Sequence, residues 1–555
     1  MLGLCPTIVK LSNSTTTLMP NNSNTEAAWN YHEATKHSYI SVRTNPHSLD
    51  FANQPLPFKI YPALEPSRLP TEVRQTGVAA LSAIASRVPA PTLSHANTAP
   101  DLEAVAQLLY LSAGITRQRK YSGGEIYFRA AACTGALYEV ELYLVSGDLA
   151  NLQAGVYHFA PAEFGLQRLR AGDYRQVLVE ATGNEPAIAH APLTIVCTCT
   201  YWRNAWKYQA RTYRHFGWDN GTQLANLLAV ATARGLPAKV VCGFVDATVN
   251  RLLDLDSERE VAFSLVPIGY DSGLSAQIAP RAPADLSPLG FETVPLSRHE
   301  IDYPLMREMH ASSSLNSGEE VGAWREHTPP RSTDTELTNL PPPTLPPPTG
   351  PVIELQPLPD AEMSSDPIEQ VILRRGSSRQ FARTPISFPQ LSTILDRATR
   401  GVPADFLSSS FDDPVRSQLN HLYLIVHAVD GLASGAYVFH RNRGVLECLK
   451  QGDFRKQAGY LGLEQQLPAD AAVDIFFLAD LRPILGRLGN RGYRAVQIEA
   501  GILGGKLYLA AYAQRLGATG LTFYDDDVTR FFSPHADGKS AIFLVAVGHS
   551  VKQRI

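Results

Sequence analysis

Two stretches of the chain carry the same order of apolar and polar positions, and each predicts helix, strand, strand, helix, strand. In the first, Val105, Leu108 and Leu109 recur at helical spacing within residues 103–112. Residues 142–145 form an apolar strand. Residues 156–159 and 166–169 are short apolar runs joined by a turn, which reads as a hairpin. Residues 194–200 read as a buried strand. Residues 221–234 make a long helix with little charge and small residues at Ala225, Ala229, Ala231 and Ala233. In the second stretch this helix becomes residues 501–514, with Gly504, Gly505, Ala510, Ala511 and Ala513, and residues 541–547 close the unit as a strand. A helix so small and apolar is packed nearly all round. It is either the central helix of a domain or one that packs on its counterpart. The class is α+β.

The two stretches align at one register. Gly155-Val156-Tyr157-His158-Phe159 matches Gly435-Ala436-Tyr437-Val438-Phe439, a shift of 280 positions. At the same shift Gly172-Asp173-Tyr174-Arg175 meets Gly452-Asp453-Phe454-Arg455. Arg211, Tyr213, Arg214 and Gly221 likewise meet Arg491, Tyr493, Arg494 and Gly501. One register over so many blocks means a duplicated domain, since solenoid repeats are much shorter. The chain divides into an N-terminal extension (1–94), a first domain (95–272), a Pro-rich linker (273–364) and a second domain (365–555). Prolines 55, 57, 62, 66 and 70 keep part of the extension extended. The run Pro341-Pro-Pro-Thr-Leu-Pro-Pro-Pro-Thr-Gly350 reads as a semi-rigid spacer, and much of the linker is expected to be mobile.

Composition changes this picture little. The 555 residues are 44% hydrophobic and 18% charged with a net charge of −4, and no basic block supports a nucleic-acid partner. Apolar runs such as 542–547 are strand-length, so no membrane role is expected. Residues 1–5 lack the basic start and apolar stretch of a signal peptide. Of six cysteines only Cys197 and Cys199 are close, alternating on one face of a strand. They read as buried thiols and not as a metal site, and no metal is expected. A cytoplasmic location fits.

Three motifs carry candidate chemistry. Arg375-x-Ser377-x-Arg379 can aim three polar side chains at one ligand if extended; two guanidiniums and a hydroxyl suit a phosphate, and a solvated basic turn would look the same. Cys133-Thr134-Gly135-Ala136-Leu137-Tyr138 allows a planar ligand close to backbone amides, or is simply a tight turn feeding a strand. Adjacent Lys207 and Tyr208 form a proton-transfer pair when partly buried, or else a polar helix surface.

Together these segments resemble the SagB/ThcOx-type dehydrogenases of the FMN-dependent nitroreductase superfamily, here as a tandem-domain member. Arg375-x-Ser377-x-Arg379 resembles the superfamily's phosphate- and flavin-binding opening. Residues 133–138 resemble its Ser-Ala-Gly-Ala-Leu-Tyr-Pro turn, with Cys133-Thr134 for Ser-Ala and Glu139 for the closing Pro. Lys207-Tyr208 matches a Lys-Tyr pair implicated in azoline oxidation. Leu521-Thr522-Phe523 lies in a stretch similar to the one that covers flavin N5, with Thr522-Phe523 for Gly-Gly, so any hydrogen bond to N5 must use backbone amides.

Nitroreductase-type proteins place flavin between two subunits. By that resemblance the two domains form an intrachain pseudo-dimer with one composite FMN site. The second domain supplies Arg375, Ser377, Arg379, Leu521, Thr522 and Phe523. The first supplies Cys133, Thr134, Gly135, Ala136, Leu137, Tyr138 and the catalytic Lys207 and Tyr208, with Tyr208 taking the proton. The twin site lacks its turn, since 134–138 meets 414–418, and Arg487-Leu488 replaces Lys-Tyr. Residues 241–244 still resemble the N5 segment, so the twin is expected to be a shallow pocket. The resemblance implies peptide dehydrogenation of the azoline-to-azole type, with a precursor peptide and its modification enzymes as partners. An NAD(P)H-dependent reductase of small nitro or quinone compounds is the alternative, and a non-catalytic flavin- or peptide-binding module a third.

Overall fold

Each domain is built on an antiparallel sheet, and one long helix from each domain fills the space between the two sheets. The computed structural model describes residues 8–9, 22–86, 97–121, 124–274, 286–326, 345–407 and 418–551. The first sheet runs Ser67–Arg68, Gly165–Ala171, Gly155–Ala160, Val140–Ser146, Leu193–Thr200, Glu260–Ile268. The second runs Val352–Glu354, Val445–Gln451, Gly435–His440, His421–Val426, Val473–Ala479, Ser540–Ser550, Phe381–Ala382, with Gly517–Leu521 also on Ser540–Ser550. Register irregularities fall at Val156/Tyr157 and Cys197/Thr198 in the first sheet, and at Ala436/Tyr437 and Phe477/Leu478 in the second. All four obey the 280-residue shift. Bulges are kept as built features of a fold, so their repetition marks duplication in the backbone itself.

Five helices position the site: α1 (Glu26–Ala34), α2 (Tyr201–Tyr208), α3 (Thr212–Ala233), α4 (Arg491–Ala513) and α5 (Asp525–Phe532). The small, apolar α3 and α4 pack on each other, the second of the two arrangements their composition allowed. They cross at Gly221 and Gly501: a Cβ on Gly221 would lie 2.5 Å from Gly501 Cα. The two glycines occupy the same repeat position, so the contact sits on the pseudo-twofold axis. Around it Gly217 meets Gln497, and Gly505 meets Thr222 and Ala225. Trp218 of α3 reaches across to Phe543 of the second sheet, ring to ring at 5.1 Å.

Two buried ion pairs lock the domains crosswise. Asp525 takes Arg211, which caps the other domain's α3, at 3.0 Å and Arg214 of α3 at 2.6 Å. Asp246 takes Arg491 at 2.5 Å and Arg494 at 3.2 Å from α4. The guanidiniums hold both carboxyls below the usual range even though burial opposes this.

The segments outside the repeats belong to the packed structure. Ser67–Arg68 of the extension and Val352–Glu354 of the linker add equivalent edge strands to the two sheets, pairing with Leu166/Gly165 and Glu447/Leu446/Val445. Lys59 reaches Tyr143 at 2.8 Å and Glu260 at 2.6 Å. The expectation of a largely mobile linker is corrected for its described part. Pro304–Ser312 and Gly318–Arg325 are helices that bury Met306, Met309, Val321 and Trp324. Ser317 caps the second of them by accepting from Glu320 N. Each helix is so short that its two or three buried anchors stay hidden in the flanking Ser and Pro. Residues 341–344 of the polyproline run lie outside the described residues.

Candidate active site

The composite site assembles at the seam between the domains. Helix α2 ends at Tyr208, whose hydroxyl would sit 2.9 Å from a Cβ on Gly135. Gly135 (φ 65°) is followed by Ala136 (φ 54°) and Tyr138 (φ 55°), so three residues of one turn are left-handed and two of them are not glycine. Such strain persists only where the surroundings over-determine it. Here they do. The Asp219 carboxylate on α3 accepts from Thr134 N and from the Thr134 hydroxyl, each at 2.9 Å. Cys133 lies 3.3 Å from Asp219 and 3.4 Å from Glu139 and accepts from Tyr138 N at 3.0 Å. The Tyr138 hydroxyl accepts from Arg129 N at 3.0 Å.

The second domain enters through residues 375–379. Arg375 donates to the carbonyls of Ala130 (2.9 Å) and Arg129 (3.2 Å), so it staples the strand leading into the turn as much as it faces a ligand. Arg117, on the hairpin Ile115–Tyr121/Gly124–Arg129, adds a repelling positive charge to Arg375. Ser377 Oγ meets the Tyr508 hydroxyl at 3.3 Å, and that hydroxyl accepts from Gly520 N. Arg379 is exposed, and its charge reaches across the seam to Lys207 and Tyr208.

Burial acts on both members of the Lys-Tyr pair. Burial, together with Asp219, Cys133 and Glu139, pushes the Tyr208 phenol well above its ordinary value, so it stands protonated. Burial and Arg379 pull Lys207 down. The neutral amine of Lys207 and the neutral phenol of Tyr208 are thus both favoured relative to their ordinary values. The ammonium lies 5.2 Å from the centre of the Tyr208 ring.

Leu521, Thr522 and Phe523 form the other wall. Phe523 is fully buried beneath the Arg211 guanidinium at 5.5 Å. The Thr522 hydroxyl is 3.2 Å from His37 Nδ1 in the extension. What remains toward the seam are the amides of Thr522 and Phe523; among the described residues none accepts from them. These amides, the bare Gly135 and the charges of Arg379 and Lys207 fit a planar, phosphate-bearing flavin.

Among the described residues the twin site is capped, where a shallow pocket was expected. The amides of Cys242 and Gly243, equivalent to Thr522 and Phe523, donate to Asp405 at 2.8 and 2.7 Å. Trp324 lies over Gly243 and donates to Leu488 O at 2.9 Å, where Leu488 replaces Tyr208. Residues 414–417, which meet the turn at the 280-residue shift, lie outside the described residues.

Sequence reasoning missed Arg117, His37, Asp219, Asp405 and Trp324. Only Arg117 had a signal: the alternating Thr116-Arg-Gln-Arg-Lys120 before Ser122-Gly-Gly124 is a hairpin pattern. The others act through contacts too distant along the chain for any local pattern.

The Nitroreductase family model matches residues 95–270 and 372–549. A nitroreductase crystal structure from Anabaena variabilis superposes with a TM-score of 0.71 at 25% identity, over 95% of this chain and 99% of that one. MJ1384 of Methanocaldococcus jannaschii, named as a nitroreductase, is 25% identical over 168 residues, 30% of this chain and 80% of that protein. The microcin B17-processing protein McbC of Escherichia coli is 30% identical over 133 residues, 23% of this chain. The match spans 48% of McbC, about half its length. Among the described residues no helix is long and apolar enough to cross a membrane.

Proposed function

Because this chain belongs to the nitroreductase family, and is thereby an oxidoreductase, we propose that it is an FMN-dependent dehydrogenase with one flavin site per chain. When bound, the flavin supplies hydride acceptance at N5. The second domain contributes Arg375, Ser377 and Arg379 toward its phosphate and ring edge, and the Thr522 and Phe523 amides toward N5. The first contributes the 133–138 turn under the ring. Lys207 takes the substrate proton, with its ammonium form disfavoured by burial and by Arg379. Tyr208 holds the substrate through its phenol.

The observation that supports this reading is the contrast between seams: among the described residues nothing accepts from the Thr522 and Phe523 amides, and the equivalent Cys242 and Gly243 amides are capped by Asp405. Similarity to McbC, a microcin-processing protein, supports a peptide substrate of the azoline type, with a precursor peptide and its modification enzymes as partners. Flavin release and quantitation test the site. One FMN per chain is expected; two equivalents, or none after reconstitution, would overturn it. The likeness to MJ1384 favours a second reading, NAD(P)H-dependent reduction of nitro or quinone compounds. Bleaching of the bound flavin by NADPH against candidate peptides separates the two.

A further inference from the structure

The second sheet carries a donor set that flavin chemistry does not use. Tyr423 stands opposite Val438, and Val438 opposite Glu447. The two-residue period of a strand therefore puts His421, Tyr423, His440 and Glu447 on one face. His535, three residues beyond α5, leans on that face with Nδ1 2.9 Å from the Tyr423 hydroxyl.

We propose that His440, Glu447 and His535 bind a divalent transition cation of the Zn²⁺ type. Their ligand atoms lie within 4.8 Å of one another. His440 Nε2 is 2.7 Å, and His535 Nε2 3.8 Å, from Glu447 Oε2. The surrounding groups orient all three. Glu447 Oε1 accepts from Thr349 N at 2.8 Å and Gly350 N at 2.7 Å, which turns Oε2 toward the imidazoles. The Tyr423 hydroxyl lies 2.9 Å from His535 Nδ1 and 3.4 Å from His535 O; in the tautomer in which it donates to the carbonyl and accepts from Nδ1–H, Nε2 presents a bare lone pair. That Nε2 is buried without a hydrogen-bond partner, and so are both ring nitrogens of His421, a residue 2% exposed on the same face.

Two imidazoles and a carboxylate with a position left open are a Zn²⁺ donor set, and hydrogen bonds from outside the ligands are what such sites use to fix ring orientation. The pair His427–Asp474, at 2.9 Å, makes the contrast: no third donor group joins it among the described residues. Nor is the set inherited from the duplication. Glu141, Ala160 and Gln167 stand 280 positions before His421, His440 and Glu447. A cation here would anchor the far end of the segment that begins with the 521–523 wall and is held in the middle by Asp525.

The test uses the tag-free full-length protein, stripped with chelator, desalted and titrated with Zn²⁺ or Co²⁺. Expected are one Zn²⁺ retained per chain, visible absorption bands from Co²⁺, and a higher Tm with Zn²⁺. His535→Ala and Glu447→Gln should each weaken Zn²⁺ binding at least about tenfold. Glu447→Gln keeps Oε1 for the two amides, so its circular dichroism should be unchanged. Failure to retain stoichiometric Zn²⁺, or retention undiminished in both variants, would overturn the site.

Discussion

The two interdomain seams are related by one pseudo-twofold axis through Gly221 and Gly501, and they share a frame. In each, an aspartate from one domain is clamped by two arginines from the other domain's long helix. In each, a pair of backbone amides faces the seam just before that aspartate. They differ in what meets the amides. At the first seam there is a strained glycine turn, a lysine, a tyrosine and an exposed arginine. At the second there is a carboxylate, Asp405, and an indole, Trp324. Amides aimed into a buried seam need a partner. The chain meets that need at one seam with its own side chain; at the other no acceptor among the described residues meets it, and in the proposed reading the flavin does.

The sharpest way to break the comparison is at Lys207 and Tyr208. Lys207→Ala and Tyr208→Phe should lower dehydrogenation by about 10²–10⁴, the usual worth of acid–base help, and leave the flavin spectrum in place. The rate should rise with pH through an ionisation below the ordinary lysine value, since burial and Arg379 both disfavour the charged amine. Arg379→Ala removes one of those causes and should move that limb upward. A pH profile unchanged in Arg379→Ala would show that Lys207 is not the titrating group. Retention of near wild-type turnover in both single variants would remove the mechanism.

The shared frame predicts equal damage on either side. Asp525→Ala and Asp246→Ala each leave two buried guanidiniums uncompensated and should cost about 3–5 kcal/mol in chemical denaturation. Both carboxyls have folded pKa values depressed below the unfolded value. Their contribution is therefore full above about pH 4 and is lost as pH falls through the lower folded values. If Asp525 proves far more costly than Asp246, the frame is not symmetric in energy.

Much of this was legible in the chain. The 280-residue register, the paired small-residue helices and the turn at 133–138 all rest on glycines, alanines and aromatics whose roles are local. What was not legible depends on distance. The sequence around Arg375 gives no sign of its carbonyl partners Ala130 and Arg129, 245 and 246 residues away. Nor does the sequence around Tyr208 show Asp219, Cys133 and Glu139, whose charges act on its phenol. The linker reads as mobile because two buried helices of eight or nine residues hide among Pro and Ser.

Arg375 gives a smaller test. Arg375→Ala removes charge-assisted bonds worth about 1.5–3 kcal/mol, and it should weaken both flavin retention and the coupling of the 133–138 turn to the second domain. Arg487→Ala, beside the closed seam, should leave flavin content unchanged when the two variants are quantified together. Equal depletion in both would mean that the wrong seam has been assigned.

The smallest effect lies at the plug, and it bears most directly on how the two seams diverged. Asp405→Ala strips the acceptor from the amides of Cys242 and Gly243, and two buried donors left unsatisfied should cost about 1–3 kcal/mol. Opening the seam in this way should not create a second flavin site. Among the described residues Trp324 still covers Gly243 and Leu488 still stands in place of Tyr208, and the sequence between residues 79 and 99 carries no Arg-x-Ser-x-Arg. The flavin count should therefore stay at one per chain while the denaturation midpoint falls. A rise toward two would show that Asp405 alone excluded the second flavin, and that the other replacements followed without being needed to close the site. A count of one with no loss of stability would show that the amides find another acceptor, and the carboxylate would then be incidental to the closure.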